Sequence, residues 1–470
     1  MPHIMEVDVA IIGAGTAGLN ALRQIKAAGQ SFVLIERGEL GTMCARTGCI
    51  PSKAVLHASE IMRSWAEAEG AGPVGRVTEN ANRLWRAARA TRDESARGMA
   101  KETLELAGER LIRGDARVVG PTDIQVDGRL IRARAIVIAT GSAAVVPDKW
   151  KALGNGILTT DSLFDLDTLP ATMGLVGLGA IGLEMGLALS RLGVRVTGAD
   201  QSNVVGGISD PTIADVARQH FEHDMTMWLG ESVDIERNSA GRFELVSGGP
   251  SPGRTEVECV LVALGRHSSL PELELHNAGI EVDQHGNVPF DPQTMRIGDS
   301  NFYLAGDVSS ARPLQHEAAD EGSIAGWNAV AHESNVGFRR RVPLSIAFTD
   351  PDFAAVGCAF DKLAAGTLVA EGSADTNARS SIAGQNDNVV RLYVEPGSGR
   401  LLGAALFAGA GEHLAHLLAW AVQRGDTVAE LLRVPFYHPT VEEIIQTALH
   451  DAASKLNFPR RLDLASSGHQ

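Results

Sequence analysis

A chain of 470 residues with 57 Asp and Glu against 42 Lys and Arg carries a formal net charge of −15. That balance argues against nucleic acid or an anionic membrane surface as the main partner, because both recruit basic faces. At 44% hydrophobic residues the chain has material for two to four domains, and four cysteines over this length do not make a disulfide framework. Residues 1–6 are too short and polar for a signal peptide, and the apolar run 7–13 is too short for a bilayer span. A cytoplasmic protein in a reducing compartment is expected.

The first element reads as a buried strand, Val7-Asp8-Val9-Ala10-Ile11-Ile12, running into Gly13-Ala14-Gly15-Thr16-Ala17-Gly18 and a helical stretch over residues 19–28. In such a strand, turn and helix the first glycine permits the tight turn and the second lets backbone approach a pyrophosphate. The third allows close helix packing, with phosphates at the helix N-terminus. The next strand, residues 31–35, ends at Glu36, about twenty residues on, where a carboxylate meets a ribose hydroxyl.

Two of the four cysteines, Cys44 and Cys49, come next, in Gly41-Thr42-Met43-Cys44-Ala45-Arg46-Thr47-Gly48-Cys49-Ile50-Pro51-Ser52-Lys53. A structural zinc site needs a second ligand pair that the sequence does not hold, and an inert buried pair is the bland alternative. The residues after Cys49 favour a redox pair. Pro51 suits a first helical residue and residues 53–60 continue as a helix, so Cys49 lies at a helix N-terminus where partial positive charge favours thiolate.

This segment, above all Gly48-Cys49-Ile50-Pro51-Ser52-Lys53, resembles the Cys-x-x-x-x-Cys active-site stretch of the FAD-dependent pyridine nucleotide-disulfide oxidoreductases, the family of dihydrolipoamide dehydrogenase and glutathione reductase. It departs in its entry, Gly41-Thr42-Met43-Cys44, and in Arg46, where the best-known members carry Asn. A cation between two thiols would bias them toward thiolate or meet an anionic substrate. The resemblance implies that Thr42 and Lys53 border FAD.

Residues 65–107 read as charged, solvated connecting helices with a break at 70–73, and residues 111–126 as short strands around Gly120-Pro121. Ala139-Thr140-Gly141-Ser142 resembles the Ala-Thr-Gly-Ser signature of the same family, and residues 143–159 form a candidate domain boundary. A second unit repeats the first: a strand enters Gly177-Leu178-Gly179-Ala180-Ile181-Gly182, a helix runs over 183–192, and the next strand ends at Asp200. Asp200 repels a 2′-phosphate, and Gln201, Ser202 and Asn203 offer no arginine to receive one, so this site favours NAD. The resemblance assigns the first glycine loop to FAD and the second to NAD. It pairs Glu184 with Lys53 beside the flavin, against the alternative of a carboxylate complementing its own helix dipole.

Further on, Gly265-Arg266 ends another strand, and Phe302-Tyr303-Leu304-Ala305-Gly306-Asp307 is a strand closing on Gly-Asp. The resemblance implies that Gly306 and Asp307 hold the ribityl or phosphate part of FAD. Gln315, His316 and Ala318 then open a helix facing the flavin ring, with His316 as a polar wall residue. Residues 348–357 resemble the opening of the family's interface domain. His413 and His416 have metal-like spacing but no third ligand, so a helix-surface pair is expected and no metal. Cys259 and Cys358 read as core residues. Phe436-Tyr437-His438-Pro439-Thr440-Val441-Glu442-Glu443 matches the His-Pro-Thr-x-x-Glu signature, which implies an acid/base His438 oriented by Glu443 and contributed by the opposite subunit. Residues 456–470 read as a loose tail.

The expected fold is α/β, with two Rossmann-like dinucleotide-binding domains and a C-terminal α+β dimerisation domain. The expected division is FAD domain 1–150, NAD domain 151–270, a central part 271–340 completing the FAD domain, and interface domain 341–470. The resemblance implies a homodimeric flavoprotein using FAD and NAD. In it a small dithiol passes electrons through Cys44 and Cys49, with dihydrolipoamide oxidation first and an acyl-transferase complex as the associated partner. The alternatives are an NADH-dependent reductase of another small disulfide, for which Arg46 is the motive, and a redox-sensing flavoprotein.

Overall fold

A computed structural model describes residues 4–70, 75–248, 253–331 and 334–457. The break expected at 70–73 and the tail expected at 456–470 lie almost wholly outside the described residues.

The first unit runs β1 (Met5–Ile12), α1 (Thr16–Ala27), β2 (Phe32–Glu36), α2 (Met43–Arg46), α3 (Cys49–Ala68) and α4 (Glu79–Ala107). Four strands come after it: β3 (Leu111–Arg113), β4 (Ala116–Val118), β5 (Asp123–Val126) and β6 (Arg129–Ile138). They form one sheet in the order β3-β2-β1-β6-β5-β4, parallel except at the β4 and β5 hairpin. The C-terminal halves of β1 and β6, residues 9–12 and 135–138, are continuous buried apolar runs because both faces of the sheet are covered there, one by α1 and the helix over 315–331 and the other by residues 270–297. The helix α3 starts at Cys49, so Pro51 is its third residue and not its first. The helix α4 is more than a solvated connector: Trp85 is fully buried against Phe164, and its indole N–H donates to Leu166 O at 2.8 Å.

The second unit is built the same way, from β7 (Thr172–Val176), α5 (Ala180–Arg191) and β8 (Arg195–Asp200), in a five-stranded parallel sheet. Beyond it β9 (Phe302–Leu304) returns to pair with the C-terminal half of β6, and α6 (Gln315–Ala331) lies across α1. That crossing is close: a Cβ at Gly322 would sit 2.1 Å from Ala17 O, and one at Gly326 2.6 Å from Ala21 O. The last body is an antiparallel five-stranded sheet, residues 344–347, 352–357, 401–408, 389–394 and 368–373 in spatial order, with α7 (Gly411–Arg424) and α8 (Glu443–Lys455) packed on it. The mixture of parallel and antiparallel sheets with helices is the expected α/β architecture with an α+β C-terminal part.

Cys259 is buried in the second sheet, whereas Cys358 is partly exposed at a strand end, its thiol 3.6 Å from Ala359 O. Among the described residues no helix is long and apolar enough to cross a membrane, and no group of three or more His, Cys, Asp or Glu could hold a metal ion.

Candidate active site

A cavity of about 890 Å³ opens at the C-terminal ends of β1, β2 and β6, where ligands bind in open α/β sheets. Its floor is the first glycine loop. Gly13 holds φ +107°, and a Cβ there would lie 2.2 Å from Ala139 O, so only glycine lets the loop pass the end of β6. Gly18 is behind the wall, where a Cβ would meet Gly13 O at 1.9 Å. At Gly15 nothing lies within 4 Å of an added Cβ, and α1 starts there with no side-chain cap. The uncapped N–H groups of α1 thus face open space, the arrangement that takes a phosphate. Glu36 closes one end, accepting from Ala14 N and from Gly38 N, each at 2.7 Å.

Along the wall lie Ala139, Thr140 and Gly141 after β6, Gly306 and Asp307 after β9, and Gln315 and Ala318 on α6. Thr140 Oγ1 is buried there without a protein partner. An uncapped helix N-terminus, a clear space over Gly15 and an orphan hydroxyl on the wall fit a bound dinucleotide. His316 does not line the cavity. One residue past Gln315 the helix has turned it outward, and its Nε2 lies 4.0 Å from Glu317 Oε1. Gly265 is also outside the wall, whereas the adjacent Arg266 reaches it.

Several wall residues escape sequence reading because their partners are distant in the chain. Arg266 donates from Nε to Ser142 Oγ at 2.9 Å and from Nη2 to Ser142 O at 2.8 Å, and Ser142 Oγ donates to Asp307 Oδ2 at 3.2 Å. The fully buried Glu321 accepts from Gly306 N at 2.7 Å and pairs with Arg340 at 2.9 Å. Burial pushes the Glu321 carboxyl up.

The other end of the cavity holds Thr42, Cys44, Cys49, Lys53 and Glu184. The two cysteines are adjacent, and each is the largest influence on the other's ionisation. The Cys44 hydrogen bond pushes Cys49 down to about 7, helped by the nearby Lys53 ammonium and against its burial. Cys44 moves the opposite way, held protonated by the same hydrogen bond and by burial. The helix N-terminus expected to favour the Cys49 thiolate is present and uncapped at Gly48. The leading cause is nonetheless the partner thiol. Lys53 Nζ reaches both carboxylate oxygens of the buried Glu184, at 2.9 and 2.7 Å. The pair joins α3 to the second unit's α5, so Glu184 does more than complement its own helix dipole.

Arg46 is not the cation between the thiols that its position in the sequence implies. It lines the cavity, but its guanidinium is ion-paired to Glu39 and donates to Glu39 O at 3.2 Å, and it is not among the leading influences on either cysteine's ionisation. The C-terminal end of the four-residue α2 carries it back toward Glu39.

The second glycine loop repeats the geometry of the first. Gly177 has φ +99° with Ala263 O 2.4 Å from an added Cβ, Gly182 would clash with Gly177 O at 1.9 Å, and Gly179 faces open space. Asp200 accepts from Leu178 N at 2.6 Å and from Ser202 N at 2.8 Å. None of Gly177, Gly179, Gly182 or Asp200 lines the cavity, though Ala180, Ile181 and Glu184 of the adjoining helix do.

His438 and Glu443 form their dyad: Nδ1 lies 3.0 and 3.2 Å from the two carboxylate oxygens. Glu443 is held below the usual carboxylate range by the Thr440 N–H and by His438. The imidazole is 72% exposed and outside the cavity, and among the described residues no histidine lines the cavity beside the dithiol. His413 and His416 lie on the α7 surface near Glu412.

Comparison with known proteins agrees with this arrangement. Residues 7–322 match the model of the pyridine nucleotide-disulphide oxidoreductases, and residues 343–449 match the dimerisation domain of the same family. A dihydrolipoyl dehydrogenase of Chlorobaculum tepidum is 28% identical over 463 residues, covering 96% of this chain and 98% of its own. A soluble pyridine nucleotide transhydrogenase of Mycobacterium tuberculosis is also 28% identical, over 467 residues, with 96% and 98% covered. The crystal structure of LpdA from Mycobacterium tuberculosis superposes with a TM-score of 0.80 at 23% identity, covering 95% of this chain and 99% of that one, a likeness of fold.

Proposed function

The chain belongs to the pyridine nucleotide-disulphide oxidoreductase family, and we propose that within it the protein is a homodimeric dihydrolipoyl dehydrogenase using NAD. The observation that carries the reading is the adjacent Cys44 and Cys49 thiol pair, with Cys49 biased toward thiolate, at the end of the cavity beside the Lys53 and Glu184 ion pair.

In this reading the first glycine loop, Glu36, Thr140 and Asp307 hold FAD along the cavity. FAD, when bound, takes the electron pair of the dithiol and delivers it as hydride to NAD. The chain's own residues handle the sulfur chemistry. A substrate thiolate bonds to Cys44 Sγ, the Cys44 to Cys49 bond breaks, and Cys49 leaves as thiolate, favoured by the Lys53 ammonium. The second substrate thiol then closes the substrate disulfide and releases Cys44, while His438 of a second copy takes up the proton shed by the substrate, oriented by Glu443. This exchange starts from the oxidised state of the pair, in which Cys44 and Cys49 are joined by a disulfide. The exposed His438, a cavity that no histidine among the described residues lines, and the dimerisation domain support a site completed by two copies.

NAD preference rests on the Asp200 carboxylate at the end of β8 and on the absence of an arginine at positions 201–203. The ion pair of Arg46 with Glu39 weakens the case for an anionic disulfide as substrate, and the relatives named dihydrolipoyl dehydrogenase support the lipoyl group. The relatives named soluble pyridine nucleotide transhydrogenase motivate a second reading, hydride exchange between nicotinamides, which needs no dithiol.

Steady-state turnover of dihydrolipoamide with NAD, and of NADH or NADPH with lipoamide and oxidised glutathione, tests these readings with Cys44→Ser as the blank. Dominant lipoamide turnover that vanishes in Cys44→Ser is expected. Turnover confined to nucleotide exchange and unaffected by Cys44→Ser would overturn it.

A further inference from the structure

The Lys53 and Glu184 pair is not a two-residue device. The segment 346–350, which opens the C-terminal body, crosses the contact between α3 and α5. There Phe348 N donates to Glu184 Oε1 at 2.8 Å, and its ring centroid lies 4.3 Å from Lys53 Nζ. One residue thus touches both charges from outside the two helices that carry them. The N–H damps the carboxylate, and the ring shields the ammonium from water, which strengthens its field.

The segment is pinned two residues later. Asp350 is ion-paired to Arg63 of α3, and its backbone carbonyl accepts from Arg191 Nη2 of α5 at 3.0 Å. Arg191 is only 5% exposed and is held in place by Asp224 at 3.0 Å. Arg63 and Arg191 lie on the same two helices as Lys53 and Glu184, so the segment stitches α3 to α5 at two levels. The upper level is beside the thiols.

We propose that Phe348 is a positioning residue for the redox centre, setting the field of Lys53 and Glu184 at Cys49 through its ring and backbone N–H, with Asp350 locking it in place. The C-terminal body thereby reaches into the dithiol site of its own chain, separately from any residue supplied by a second copy. The inference rests on Cys49 being the working thiolate and not on which disulfide is the substrate.

The charged and titratable groups around Cys49 are the Cys44 thiol, Lys53, Glu184 and, in a dimer, His438 of a second copy. The test is a pH titration of thiolate ultraviolet absorbance in the FAD-loaded protein, in a Cys44→Ser background with Cys49→Ser as the blank. Phe348→Leu is expected to raise the Cys49 midpoint by about half a pH unit, about threefold in thiolate at limiting fraction, the size of a lost cation–π shield. Phe348→Tyr, which keeps the ring, is expected to titrate with the parent. Phe348→Met is the substitute should the leucine variant fold poorly. A ring-less variant that titrates with the parent, or a Tyr variant shifted as far as Leu, would overturn the proposal. A background protein with no titrating Cys49 signal would instead overturn the reading of Cys49 itself.

Discussion

The two glycine loops are nearly the same object placed in different surroundings. Gly13 and Gly177 share a positive φ and a carbonyl 2.2 and 2.4 Å from an added Cβ, and Ala14 N and Leu178 N reach Glu36 and Asp200 at 2.7 and 2.6 Å. The first loop, however, lies inside the large cavity, with α6 pressed against α1 behind it and the wall after β6 and β9 beside it. The second lies outside, and only the start of its helix reaches the cavity, with Ile181 47% exposed. With the same local chemistry in both loops, enclosure is the ground for expecting a retained group at the first and an exchanging one at the second.

The largest effect should come from breaking each loop in turn. Gly13→Ala is expected to give protein without bound flavin and without turnover. Gly177→Ala is expected to keep its flavin absorbance and to raise KM for NADH by about tenfold or more. Equal flavin loss from both variants would break the comparison. Next comes the imidazole that does not line the enclosed side: His438→Gln should lower kcat for disulfide turnover by about 10²–10⁴, with flavin content unchanged. Wild-type turnover in that variant would remove His438 from its role.

The Cys49 thiol is pushed down to about 7, so its thiolate persists above that pH and is lost as pH falls through it. Disulfide-linked turnover should therefore fall about tenfold per unit at pH values below that midpoint, while KM for NADH at the open loop stays within about twofold. A pH profile of both constants checks this. The smallest effect is expected at the open loop: Asp200→Asn should narrow the preference for NADH over NADPH by about fivefold, the scale of one hydrogen bond. Parallel titrations with the two nucleotides measure it.

Much of the site was legible because its parts are contiguous. Cys44 and Cys49, the two glycine loops, and His438 with Glu443 each fall within one short stretch whose backbone brings them together. Arg46 and His316 depart from their expected places for the converse reason. Their positions in the chain put them near the thiols and the cavity, but a salt bridge to Glu39 and one step of helix rotation take them elsewhere. Ser142, Arg266 and Phe348 lie in stretches the sequence singled out, but their roles, like that of Glu321, were not legible, since each acts on a residue far away in the chain, as Phe348 does on Glu184 and Arg266 on Ser142.

By itself the sequence determined the local geometry: where the chain must turn, which residues must lack a side chain, which acid answers each loop, and that Cys49 lies at a helix start. Sterics act between neighbouring residues, so a glycine forced to φ near +100° can be read from its motif. Only the tertiary structure decided which loop is enclosed, which cation faces Cys49, and that the imidazole stands away from its own chain's dithiol. Burial and electrostatic fields depend on distance through space and on excluded water, and neither is set by separation along the chain.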